Sequence, residues 1–331
     1  MAQKTDIYQK ITDKIISYLE QGTRPWFKPW SAEHAAGRIT RPLKHDFQPY
    51  NGINILNLWM EAEERGFSAP VWMTFKQAKD LGGQVRKGEK GSLSVYANTF
   101  KKTERDKNTG EEIEQNIPFM KGYTVFNVEQ IDDLPEKYYA LAKEPEITPE
   151  QRIEAIEHFF LNTGAVIKEG GNRAYYNITH DFIQTPPFIA FETAESYYAT
   201  LGHEITHWTR HPSRLDRDLG RKKWGDEGYA MEELVAELGS AYIAADLGLV
   251  PDVREENAAY IQNWLDVLKG DKRAIFTAAA HAQRAAELLH EYQTRPAPIP
   301  KIQAELEETP DKKMIKYSIE DMHQLDIFDP M

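Results

Sequence analysis

The sequence predicts an α+β protein of two domains: an α+β front domain and a mostly helical back domain with a small sheet. Three observations predict it. The chain has 331 residues, and domains average roughly 150. Apolar spacing is helical up to Gly82-Gly83, strand-like from Val85 to Val128, and helical again over most of the stretch to residue 292. Charge is also divided. Residues 1–100 hold 14 Lys+Arg against 10 Asp+Glu, whereas the remainder holds 26 against 42, within a total of −12. Four of the seven tryptophans (Trp26, Trp30, Trp59, Trp72) fall in the first 72 residues. A mildly basic, Trp-rich front joined to an acidic back implies two jobs.

The elements follow in order. Ile7, Ile11, Ile15 and Tyr18 recur at helical spacing, which predicts a helix over 4–21 stopped by Gly22. A Pro/Trp loop runs from Arg24 to Trp30. A second helix is expected over Ile53–Arg65, closed by Gly66. A third begins at Thr74, with Gln77 completing a capping box, and ends at Gly82-Gly83. Residues 85–102 and 121–128 read as strands joined by a polar loop over 101–116. The expected division is a front domain over 1–135, a Pro-punctuated linker over 136–147, a back domain over 148–293 and a flexible acidic tail over 294–331. In the back domain Thr148, Pro149 and Gln151 open a helix. Strands are expected at 165–168, 174–178 and 188–191. Long helices are expected near 194–210, 229–247, 254–269 and 271–292.

Composition excludes several classes. Zero cysteines rule out a disulfide scaffold, Cys-ligated zinc and a Cys nucleophile. The opening MAQKTDIYQK lacks the apolar core of a secretory signal. No apolar run nears the ~18 residues of a membrane span. The expected location is the cytoplasm, with no membrane partner.

His203-Glu204-Ile205-Thr206-His207 carries the strongest chemical signal. On a helix, positions i and i+4 share a face, so both imidazoles can reach one metal while Glu204 polarises its water. Two neutral His nitrogens and an oxygen suit Zn²⁺; Mn²⁺ is another divalent ion such a set admits. A third ligand is needed. Glu233, in Met231-Glu-Glu-Leu-Val-Ala-Glu237, is the leading candidate, with Glu237 one turn on as a partner for a ligand His. His211, Glu232 and Glu237 itself are the alternatives, and Glu232 also reads as a solvated face residue. Tyr229, one turn before Glu233, is a candidate oxyanion donor in metal-assisted hydrolysis, though a core tyrosine fits the position equally well.

Nucleic-acid binding needs cations for phosphates and flat rings for bases. Trp26, Lys28 and Trp30 mix both, as do Arg38, Arg41 and Lys44 near Phe47. Arg86, Lys87 and Lys90 form a basic, Gly-containing turn. Stacking with modest charge fits single strands better than a duplex. Trp59 and Trp72 are expected in the core.

On these residues the chain resembles the ArdC-type antirestriction proteins of conjugative plasmids and phages. In the front half the resemblance rests on Pro25-Trp26, Lys28-Pro29-Trp30, Pro49-Tyr-Asn-Gly-Ile-Asn54, Trp72–Ala78, Gly82–Gly91, Phe126-Asn127 and Gln130. In the back half it rests on Tyr198–Thr209, Arg214-Leu215, Tyr229-Ala230 and Glu232–Glu237. It covers about residues 5–290. It implies an N-terminal domain that binds single-stranded DNA and a C-terminal zincin-like metallopeptidase domain, acting on an unidentified protein substrate. It also implies a role in protecting incoming plasmid DNA from host restriction. The front half is similar to that of plasmid primases of the TraC type as well. Glu233-x-x-Ala236-Glu237 resembles the E-x-x-A-N motif of ImmA/IrrE-like metallopeptidases, with Glu237 in place of Asn.

Finally, Gln324-Leu325-Asp326-Ile327-Phe328 resembles the short peptide by which bacterial replication proteins dock on the sliding clamp. Leu325, Ile327 and Phe328 would fill an apolar groove while Gln324 hydrogen-bonds beside it.

Overall fold

A computed structural model describes residues 6–26, 40–105, 112–139, 149–220, 226–249 and 258–294. Lys28, Trp30, Arg38, positions 140–147 of the expected linker, the expected helix cap Thr148, and the tail with Gln324–Phe328 lie outside the described residues.

Local chemistry sets the front-half helices. Helix α1 (Ile7–Glu20) starts at Asp6, whose carboxylate accepts from the Gln9 amide at 3.3 Å. Helix α2 (Ile53–Arg65) closes on Gly66, whose φ of +69° suits a residue without a Cβ. After strand β1 (Trp72–Met73), helix α3 (Phe75–Asp80) carries the full Thr74/Gln77 capping box. Strands β2 (Gln84–Val85), β3 (Ser92–Arg105), β4 (Glu112–Asn127) and β5 (Ile131–Asp132) complete this half.

The β3–β4 hairpin is longer than expected. Its antiparallel register runs from Ser92↔Val125 to Arg105↔Glu112, so most of the expected polar loop is ladder. Ladder hydrogen bonds need no burial, and Thr99, Phe100, Thr103, Ile113 and Ile117 are residue types that favour strands. Part of the expected linker is ordered against the front half. Glu136–Tyr138 is a 3-10 turn; Tyr138 stacks on Phe47 at 5.2 Å and its hydroxyl donates to the His45 carbonyl at 2.8 Å.

The back half comprises α4 (Pro149–Leu161), β6 (Val166–Glu169), β7 (Tyr175–Asn177), β8 (Phe182–Thr185), α5 (Ala194–Trp208), α6 (Glu227–Leu247), α7 (Ala258–Gly270) and α8 (Ala274–Thr294). The sheet order is β6-β8-β7, with β6 parallel and β7 antiparallel to β8. The expected strand over 188–191 is instead a 3-10 turn at Phe188–Ala190. Pro186 and Pro187 precede it and offer no amide to a ladder. The strand Phe182–Thr185 was not expected, since its four residues carry no alternation to mark them.

The two halves share one apolar core. Ile11 and Ile15 from α1, Leu56 and Trp59 from α2, Leu201 and Ile205 from α5, Leu234 and Leu238 from α6, and Ala278 and Ala282 from α8 are buried in one cluster. The rings of Trp26 and Trp264 meet edge-on at 5.8 Å, and those of Trp59 and Tyr242 at 6.1 Å. Polar contacts join the halves too. Arg41 pairs with Asp246 and donates to Gln283 Oε1 at 3.1 Å, and Thr12 Oγ1 donates to the Lys272 carbonyl at 2.7 Å. All described residues fall in one compact unit.

Candidate metal centre

The site forms where α5 and α6 approach closely. A Cβ on Gly239 would meet Thr206 Cγ2 at 2.5 Å, and one on Gly202 would meet Ser240 Oγ at 3.2 Å. The bare backbone at these two positions lets the acidic face of α6 reach the histidines of α5. His203, His207 and Glu233 each offer one donor atom, and the three lie within 4.8 Å of one another. Glu233 is 3.5 Å from His203 Nε2 and 3.6 Å from His207 Nε2. Two donors each ~2.0–2.2 Å from a shared tetrahedral centre lie roughly 3.3–3.6 Å apart, so this spacing fits a divalent ion. Among the described residues no other cluster of three such groups forms. His211 stands outside it, its Nδ1 engaged with Ser213 Oγ at 2.8 Å.

Each imidazole turns its other nitrogen to a carboxylate. His203 Nδ1 lies 3.1 Å from Glu237 Oε1, close in distance but not well aligned as a hydrogen bond. His207 Nδ1 lies 3.1 Å from Glu232 Oε1. Such partners set the tautomer and aim of a ligand histidine. They are anchored in turn. Arg217 donates to both Glu232 oxygens at 2.8 Å, and to Thr206 O and Thr209 Oγ1 at 2.9 and 3.1 Å. Glu237 Oε2 accepts from Arg24 at 3.3 Å and from the Trp26 indole at 3.4 Å. Glu232 is therefore not a solvated face residue; it is 1% exposed and locked to Arg217. Sequence reasoning missed Arg217, Arg24 and this role of Trp26, because no spacing rule links them to the motif.

Glu204, Tyr229 and Tyr260 line the same cavity of about 370 Å³ as the histidines and Glu233. The Tyr229 and Tyr260 hydroxyls are 3.1 Å apart. Tyr175 and Tyr176 of β7 form another wall. Arg214 fixes that strand's position: it lies 3.7 Å over the Trp208 ring and pairs with Asp181 and the Tyr176 hydroxyl.

Electrostatics follow from this packing. Burial lowers the His203 pKa, but the Glu233 and Glu237 carboxylates outweigh it and push it to about 10. His207 responds in the same way to Glu233 and Glu232, rising to about 9. Burial raises the Glu232 carboxyl, but Arg217 and His207 bring it to about 2. Glu233 is held far below the usual carboxylate range, the histidines outweighing its burial. In metal-free protein the His contribution to stability is complete below 6.5 and lost as pH rises through 9 to 10. The carboxylate contribution is complete above 4.5 and lost as pH falls through about 2. A cation requires neutral ring nitrogens and so competes with those protons. The gain in melting temperature on adding Zn²⁺ or Mn²⁺ is therefore expected to grow as pH rises from 6.5 to 9. Paired thermal melts across that range check this, and a flat gain would contradict it.

The expected DNA contacts fare differently. Trp26 is 0% exposed and Arg41 is buried against Asp246, so neither can stack on a base or reach a phosphate. Lys44 is half-buried, its ammonium 5.9 Å from the Tyr50 ring centre. Arg86, Lys87 and Lys90 are exposed on the turn before β3, with Arg86 tied to Glu89, Asp132 and the Glu129 carbonyl.

A helix presenting two histidines one turn apart, packed beside a small sheet and met by a glutamate from the next long helix, defines a zincin-like domain. Residues 154–281 match the family described as zincin-like metallopeptidase, and residues 5–126 match the N-terminal domain of the anti-restriction factor ArdC. The chain is 48% identical to the metal-free crystal structure of the antirestriction ArdC protein from plasmid R388, with a TM-score of 0.72, covering 87% of this chain and 98% of that one. The Mn(II)-bound structure of the same protein matches at 46% identity and a TM-score of 0.71, covering 88% and 99%. The protein y4eC of Sinorhizobium fredii is 41% identical over 88% of this chain and 93% of its own length. The DNA primase TraC of Escherichia coli is 36% identical over 86% of this chain, which spans 27% of that primase. The chain belongs to the ArdC antirestriction family.

Proposed function

We propose that this chain binds single-stranded DNA, carries a metal-dependent peptidase site and protects incoming plasmid DNA from host restriction. One observation carries the peptidase part: the donor atoms of His203, His207 and Glu233 converge in the cavity that also holds Glu204. The Mn(II)-bound ArdC structure supports a divalent ion, and the nitrogen-and-oxygen donor set suits zinc equally. When bound, such an ion supplies Lewis acidity towards a peptide carbonyl and its attacking water. The protein's own groups do the rest. Among the described residues β7 pairs on one side only, and Tyr175 and Tyr176 border the cavity, so an extended peptide can align along this edge. The Glu204 carboxylate can take a proton from water and pass it to the leaving amine. Burial and the neighbouring Tyr260 push the Tyr229 hydroxyl far above its ordinary pKa. It therefore stays protonated and can donate to the carbonyl oxygen as charge develops.

The test is digestion of a labelled protein mixture with Zn²⁺ or Mn²⁺, with and without single-stranded DNA. Glu204→Ala is expected to lose about 10²–10⁴-fold in cleavage; equal cleavage by wild type and variant would place the activity elsewhere. Plasmid transfer into a restricting host separates the two roles. Full protection by Glu204→Ala would assign protection to DNA binding alone.

A further inference from the structure

We propose that single-stranded DNA binds in the cleft between the start of α2, strands β3 and β4, and helix α8, so that both halves of the chain build the site. This rests on the single-stranded-DNA reading and gives it a place. The cleft encloses about 710 Å³, within the range of sites that take flat organic ligands.

Its walls carry the two chemistries an unpaired strand needs. Tyr96 is 50% exposed at the cleft and leans on Phe119, with ring centres 6.0 Å apart. Tyr8 and Phe276 form a second aromatic pair at 4.6 Å, one ring from each half. Tyr50, almost fully buried, and Tyr123 also line the cleft. Cations sit beside these rings. The Arg273 guanidinium lies 5.2 Å from the Tyr8 ring centre, Lys44 lies over Tyr50, and Arg284 is exposed on α8 at the cleft. Among the described residues one carboxylate lines the cleft, Glu287, and it already accepts from Gln283 Nε2 at 2.9 Å. Flat faces with interspersed positive charge suit bases and phosphates together, and a duplex hides its base faces from such rings. The acidic back half thus contributes its local cations, Arg273 and Arg284, where the front half places its tyrosines.

The full chain with a labelled oligothymidylate, titrated by anisotropy at several salt concentrations, tests this. Tyr96→Ala is expected to weaken binding about tenfold with the salt slope unchanged, while Tyr96→Phe, which keeps the ring, binds as wild type. Arg284→Ala is expected to weaken binding and to reduce the slope of log affinity against log salt by about 0.7. Both side chains are exposed, so neither change disturbs the core. Lys79→Ala, exposed on α3 and not part of the cleft lining, should leave affinity unchanged. Wild-type affinity in both Tyr96→Ala and Arg284→Ala, with the wild-type chain binding, would overturn the cleft and leave single-stranded-DNA binding standing. No binding by wild type would overturn both.

Discussion

Glu233→Ala is expected to leave the purified protein nearly free of divalent ion, whereas Glu204→Ala keeps about one ion per chain. Glu233 supplies the only oxygen in the cluster of three donors. Without it two imidazoles remain, and each stays beside a carboxylate that favours its proton: Glu237 for His203 and Glu232 for His207. Loss of affinity should exceed the ~10–100-fold typical of removing an outer hydrogen-bond partner. Glu204 faces the cavity but lies outside the donor triangle, so its removal spares the ion. Elemental analysis after dialysis against a mild chelator decides it. Full retention in Glu233→Ala, with loss in His211→Ala, would overturn the ligand assignment.

Arg217→Ala is expected to produce the largest loss of stability of any single change at the site. Arg217 is 4% exposed and Glu232 1% exposed. Removing the guanidinium strands a buried carboxylate whose remaining partner is His207. Breaking a buried pair from one side costs about 3–5 kcal/mol, a fall in melting temperature on the order of 10 °C for a domain of this size. The double variant Arg217→Met/Glu232→Leu separates charge from packing. It should recover much of that stability, since a buried pair and apolar residues of similar volume are nearly equivalent. It should not recover metal affinity, because His207 loses the carboxylate that orients it. Thermal melts of the three proteins, read beside their metal content, check both. Unchanged stability in Arg217→Ala would refute the buried-pair account.

Much of the site was legible because it is local. The i, i+4 spacing of His203 and His207 puts both rings on one face of α5, and the same spacing relates Glu233 to Glu237 on α6. Capping at Thr74 with Gln77, and the stop at Gly66, are likewise decided by neighbours within one turn. The length of the β3–β4 hairpin was not legible. Its outer residues are polar like a loop, and their pairing partners lie on the other strand. Trp26 was misread for a related reason. A tryptophan among prolines and lysines reads as a stacking platform, yet its ring packs on Trp264, more than two hundred residues away, and its indole faces Glu237.

The sequence by itself therefore determined which helices carry the candidate metal donors, and that their side chains share faces, since a 3.6-residue period leaves no choice. Only the tertiary structure decided which faces meet. The approach of α5 to α6 at Gly202 and Gly239 brings Glu233 between the histidines. Arg217 then turns Glu232 from a surface acid into a buried anchor. Packing of α8 against the front half sets Arg273 beside Tyr8 and opens the shared cleft. Those contacts join residues far apart in the chain, where burial and shape choose the partner and no periodicity records it.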